Sequence, residues 1–169
     1  MHLAHLRLRD FRNYARLDVD FAPGFHLLLG DNAQGKTNIL EAIYLMATLR
    51  SFRGVGSALM VRHGQRGYFV GGKVVGRGER EIKMFWSLRE RKLALDGQPV
   101  KKLADYLGTL RTVVFCTEDL QLVKGAARAR RRFLDLLLTQ TQSGYLALLQ
   151  RYMRAVRARN ALLKQRAVD

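Results

Sequence analysis

Apolar and charged residues alternate in "LRLRDF" (Leu6 to Phe11) and again in "LDVDF" (Leu17 to Phe21). Period two over such short runs predicts two half-buried strands, joined by the turn-like "RNYAR". "APG" at 22–24 marks a turn, and "FHLLLG" reads as a short apolar strand running into a glycine loop. From Lys36 the period becomes helical: "KTNILEAIYLMATL" places Ile39, Leu40, Ile43, Met46 and Ala47 on one face. The middle of the chain is β-rich. "GYFVGGKVVG" and "REIKMFWSL" are extended runs, and "RKLALDGQPV" carries a hairpin turn at Asp96-Gly97. "KKLADYLGTL" predicts a short helix ending near Gly108, "RTVVFC" a buried strand, and "TEDLQLV" a loop or short helix. "ARARRRFLDLLLTQ" is a helix whose first turns are crowded with arginine, and Tyr145 to Arg166 forms a long one. In that last helix Tyr145, Leu149, Tyr152, Val156 and Leu163 lie near a heptad seam. Arg151, Arg154, Arg157 and Arg159 fall mostly off it, as on a solvated face.

Composition narrows the class. A chain of 169 residues with 48% hydrophobic content is long and apolar enough to bury a core. No run approaches the roughly 18 apolar residues that would span a membrane, and "MHLAHLRLRDF" lacks the apolar block of a signal peptide. The single cysteine, Cys116, excludes an internal disulfide framework and suits a reducing, cytoplasmic setting. His63, with no metal-spaced partner, is not a ligand candidate. Charge changes the picture most. Thirty Lys and Arg against fourteen Asp and Glu give a net +16, which attracts polyanions. A membrane surface and acidic proteins compete as partners. Nucleic acid is favoured because most of the excess is arginine, which pairs bidentately with phosphate. From Leu120 onward, eleven basic residues face only Asp135 and Asp169, so the last third carries more than half the net charge.

The candidate chemistry sits between the predicted strand and helix at 25–48. "GDNAQGKT" places Gly30, Gly35, Lys36 and Thr37 at the spacing of a phosphate-cradling loop. Backbone N–H groups of such a loop converge on an anion at the positive end of the following helix. Lys36 would reach the β- and γ-phosphates, and the Thr37 hydroxyl would join a Mg²⁺ shell. Hydrolysis also needs an acid after a strand to hold the metal. "RRFLDLLL" offers Asp135 on a helix, and "VVFCTED" offers Glu118 and Asp119 two residues beyond the strand; neither meets that requirement. The expected site therefore binds nucleotide but holds only half of the hydrolytic machinery.

"FRNY" near the start, "GDNAQGKTNILEAIYL", the "RSFR" after that helix and "EDLQLVKG…RRRFLD" together resemble the RecF family of recombination-repair ATPases, over essentially the whole chain. The resemblance implies an α/β fold: a P-loop NTPase lobe of the ABC-type ATPase head, with an antiparallel β-subdomain and the start of an α-helical arm. It implies an ATP-binding lobe at 1–142 and the start of the arm at 143–169, with the signature and Walker B acids of the family's C-terminal half absent. It further implies ATP and Mg²⁺ as cofactors, and an ATP-dependent homodimer on DNA at single-stranded gaps or duplex junctions. RecR and RecO are the implied partners in recombinase loading, with no membrane role. ATP hydrolysis belongs to the full-length family; this chain alone is expected to bind ATP and hydrolyse it poorly. Carried over by position, Gly30, Asp31, Asn32, Ala33, Gln34, Gly35, Lys36, Thr37 and Asn38 form the nucleotide loop. Arg12 and Asn13 fall on the turn that lies near base and phosphates in related heads; a polar turn between strands is their other reading. The region of Thr117 to Asp119 occupies the Q-loop place without its glutamine: Gln121 comes too late, and Glu118 would substitute. Ala127 and Ala129 depart from the family's expected proline and acid.

Arg128, Arg130, Arg131 and Arg132 crowd a helix start, where the dipole disfavours cations. Phosphate contact would compensate them, as would acids elsewhere in a longer chain. Arg50 and Arg53 in "RSFR" would face DNA, or simply cap the C-terminus of the preceding helix. Two other classes stay open: a stand-alone DNA-binding module with a vestigial nucleotide site, and an unrelated small P-loop NTPase such as a kinase.

Overall fold

A computed structural model describes residues 1–165, apart from the side chain of Glu118. The N-terminal alternation forms β1 (His2–Phe11) and β2 (Tyr14–Asp20), a two-residue hairpin turning at Arg12 and Asn13. The glycine loop follows and opens into α1 (Lys36–Thr48). Next come β3 (Gly67–Val75), β4 (Glu79–Ser87), β5 (Arg91–Leu95) and β6 (Gln98–Pro99), with β5 and β6 joined at Asp96-Gly97 as the dipeptide predicts. All pair antiparallel in the order β2-β1-β3-β4-β5-β6.

Strand alternation sends Leu6 and Leu8 of β1, Val70 and Val74 of β3, and Ile82 and Met84 of β4 to one face of the sheet. There they pack with Ala42, Leu45 and Met46 of α1 into the core. Tyr106, at the end of the short α2 (Leu103–Tyr106), closes this core and donates its hydroxyl to the Met46 carbonyl at 2.6 Å. Burial pushes that phenol well above its usual range. The helical face of α1 differs from the one the periodicity predicts: Leu40 is half exposed and Glu41 is fully buried. The reason is a set of cationic partners described below, invisible to a hydrophobic period.

Beyond the sheet lie α3 (Gln121–Lys124), α4 (Ala127–Thr141) and α5 (Tyr145–Gln165). Arg166, the expected last residue of α5, lies outside the described residues. Tyr152 and Leu163 of its expected seam are exposed, and no described residue of α5 is buried. No described helix is long and apolar enough to cross a membrane.

Two expected strands do not form. "FHLLLG" and "RTVVFC" are both irregular, with Phe25 at 90% and Phe115 at 94% exposure. A strand exists only where a neighbour takes its N–H and C=O groups, and among the described residues no strand runs beside either segment. Thr112 finds a substitute. The buried amide of Gln140 on α4 accepts from its N–H at 2.9 Å and donates to its carbonyl at 3.4 Å, as an adjacent strand would.

Candidate nucleotide site and basic surface

The loop from Gly30 to Gly35 gets its shape from left-handed backbone at Gly30 (φ 142°), Ala33 (φ 65°) and Gly35 (φ 102°). Gly35 caps α1 by backbone alone: its carbonyl accepts from the N–H of Asn38 at 2.8 Å and of Ile39 at 3.2 Å. The first amides of α1 are thereby aimed out of the helix end. The Lys36 ammonium folds back over the loop and donates to the carbonyls of Gly30 and Asp31, each at 2.6 Å. It is thus held at the mouth of the loop, beside the helix N-terminus and the exposed Thr37. Converging amides, one ammonium and one hydroxyl fit a polyphosphate with its Mg²⁺.

The hairpin turn of β1 and β2 holds this loop. Asn13 Nδ2 donates to the Gln34 carbonyl at 3.0 Å, and its Oδ1 accepts from Asn38 Nδ2 at 2.8 Å. The fit is close: a Cβ on Gly35 would stand 2.5 Å from Asn13 Nδ2 and 2.9 Å from the Tyr14 hydroxyl. "FRNY" and "GKTN", far apart in the chain, therefore make one unit.

Arg12, in left-handed backbone (φ 55°), turns the other way. Its guanidinium donates two hydrogen bonds of 2.8 Å to the Glu41 carboxylate and a third, of 2.9 Å, to the Leu59 carbonyl. Ser51 donates to the same carboxylate, and Arg53 stands 3.9 Å from it. Burial pushes the Glu41 carboxyl up. The hydrogen bonds from Arg12 and Ser51, with the charges of Arg12 and Arg53, outweigh that and hold it below the usual carboxylate range. Arg12 and Arg53 are thus engaged with α1. Glu41 and Ser51 carried no signal of this role in sequence, because an isolated Glu on a helix and a Ser in a loop are ordinary surface residues.

On the other side of "RSFR", a cleft of about 230 Å³ is lined by Arg50, Ser51, Gly54, Gly56, Ser57 and Arg132. It joins two of the predicted basic positions, one after α1 and one on α4. Arg128, Arg130 and Arg131 are exposed at the start of α4. That helix has no acid in its first turn and no side-chain cap. Arg130 caps α3 instead, donating to the Gly125 carbonyl at 2.9 Å. Asp119 lies in a tight turn, accepting from the Cys116 N–H at 2.7 Å. The Glu118 side chain, the Q-loop candidate, lies outside the described residues.

Comparison with known proteins agrees with this geometry. A family model described as "AAA ATPase domain" matches residues 1–157. The chain is 46% identical, over its full length, to the DNA replication and repair protein RecF of Symbiobacterium thermophilum, of which it covers 46%. It is 42% identical to the protein of that name from a Synechococcus strain, covering 44% of it. Among solved structures, the recombination mediator protein RecF-ATPrS in the RecFOR pathway superposes with a TM-score of 0.89 at 31% identity, over 97% of this chain and 45% of that one. The corresponding RecF-ATP structure gives the same TM-score over 96% and 44%. The chain spans about half the length of these relatives. A glycine loop latched to an antiparallel sheet, the family match and these relatives lead to one conclusion: the chain belongs to the AAA ATPase domain family, is related there to RecF, and has the fold of a P-loop ATPase head.

Proposed function

We propose that this chain is the ATP-binding lobe of a RecF-type DNA repair and replication-restart ATPase. The observation that carries the reading is the loop at 30–37, preformed by left-handed backbone and latched by Asn13 with Lys36 at its mouth. Residues 1–142 serve as the nucleotide lobe and 143–169 as the start of an arm. Mg²⁺ enters with ATP through Thr37. In the longer protein two heads close on ATP and hold DNA at a gap or duplex junction, with RecR and RecO as partners in recombinase loading, in the cytoplasm. For DNA, the supporting observations are the net +16 and the cleft that brings Arg50 to Arg132.

Fluorescence titration with a labelled ATP analogue tests the nucleotide site. The chain should bind it, and Lys36→Met should weaken binding by tenfold or more (about 1.4 kcal/mol). Unchanged affinity in that variant would overturn the reading in favour of a vestigial site. Turnover by the chain alone should be low, because the candidate acids do not follow a strand beside the loop: Asp135 lies on α4 and Asp119 in a tight turn. Turnover typical of a complete ATPase, abolished by Lys36→Met, would show a complete small NTPase instead.

A further inference from the structure

The sheet face turned away from α1 carries an unexpected pattern. Arg9 lies opposite Arg16 on β2 and Phe69 on β3, Phe69 opposite Phe85 on β4, and Phe85 opposite Lys92 on β5. One row across five strands therefore reads Arg-Arg-Phe-Phe-Lys. Its side chains alternate with Leu8, Val70 and Met84, which point into the core. Two phenylalanines at the centre of a solvent-facing row add nothing to that core. Both rings lie down on the sheet over glycines: a Cβ on Gly71 would stand 2.7 Å from Phe69 Cζ, and one on Gly67 would stand 3.4 Å from Phe85 Cζ. Each ring is only partly buried.

Within the strands the acids of this face begin in the next row, with Asp18, and continue with Asp20 and Glu81 in the row after it. Asp18 pairs with Arg7 at 3.1 Å, Asp20 with His5 at 2.6 Å, and Glu81 with Lys83 at 2.7 Å. At the rim Glu90 meets Lys92 at 2.9 Å, and Arg16 is 3.6 Å from Asp18. The row itself has no acid. Flat aromatic surface between cations matches a polyanion whose uncharged faces are exposed, which describes unpaired nucleic acid. A duplex hides its base faces inside the stack.

We propose that this row is a base-stacking platform for single-stranded nucleic acid. Phe69 and Phe85 each take a base, and Arg9, Arg16 and Lys92 take neighbouring phosphates. The inference rests on the DNA-binding reading above and gives it a location and a substrate class.

The test measures binding of the 169-residue chain to an oligo(dT) strand and to an abasic deoxyribose-phosphate strand of equal length. The chain should prefer oligo(dT) by about fivefold or more. Phe69→Leu and Phe85→Leu together, which keep apolar volume and remove the rings, should close that gap and leave abasic affinity unchanged. Arg9→Ala with Arg16→Ala should weaken both strands and flatten the salt dependence. A folded double-leucine variant, checked by its melting curve, that keeps the gap overturns the platform. So does one that changes only the oligomeric state, since the face would then join copies of the chain. Should the variant not fold, photocrosslinking of a thiothymidine strand to the unaltered chain decides: crosslinks at Phe69 or Phe85 support the platform, and crosslinks only elsewhere overturn it. Equal binding of both strands sinks the platform alone; binding of neither sinks the DNA reading with it.

Discussion

Gly35 shows how one position joins backbone, packing and site. Its φ of 102° lies where a side chain is strained, and the space a Cβ would need belongs to Asn13 and Tyr14. Gly35→Ala should cost about 1–2 kcal/mol of backbone strain and displace the Asn13 latch. The expected result is a lower unfolding midpoint in urea together with weaker ATP binding. Glu41 is the other decisive residue. Removing one member of a buried ion pair costs about 3–5 kcal/mol, so Glu41→Ala should lower the unfolding free energy measured in urea by about that much. The pH dependence follows from the lowered carboxyl. Stability from Glu41 is fully present above the unfolded glutamate value, about 4.3, and is lost as pH falls through the lower folded value. Unfolding free energies measured across that acid range should fall more steeply for the natural chain than for Glu41→Gln.

At the scale of elements, the antiparallel sheet and the two segments at 25–30 and 111–116 behave differently for one reason. Each strand of the hairpins finds its partner a few residues away, so alternation and a turn signal suffice to predict it. "FHLLLG" and "RTVVFC" are equally apolar, yet propensity cannot supply a neighbour. Gln140 fills that place for Thr112. Gln140→Ala should therefore leave a partly buried N–H and C=O without partners, at about 1–3 kcal/mol. Hydrogen exchange at the Thr112 amide should accelerate in that variant while amides of β3 and β4 keep their protection.

For the whole molecule, the excess of sixteen positive charges sets how it meets polyanions. If Arg50 and Arg132 each neutralise a DNA phosphate in their shared cleft, replacing both by alanine should lower the log–log salt slope of duplex binding by roughly 2. Adding alanine at Arg128, Arg130 and Arg131 should lower it further. A slope unchanged by all five would remove this surface from the DNA reading.

The hairpin strands, the helices, the glycine loop and the basic excess are legible along the chain, because each rests on local spacing or on a sum. The Asp96-Gly97 turn and the start of α1 at Lys36 fell where their residues predict. Tertiary structure alone decided which distant groups meet: Asn13 with Gln34, Glu41 with Arg12 and Ser51, Arg50 with Arg132 across a cleft. It also decided that two apolar runs stay open and that Phe69 and Phe85 share a row with arginines. The physical reason is common to all of them. A period reports which face a residue takes within its own element, whereas partners, charge compensation and backbone pairing depend on what the folded chain brings alongside.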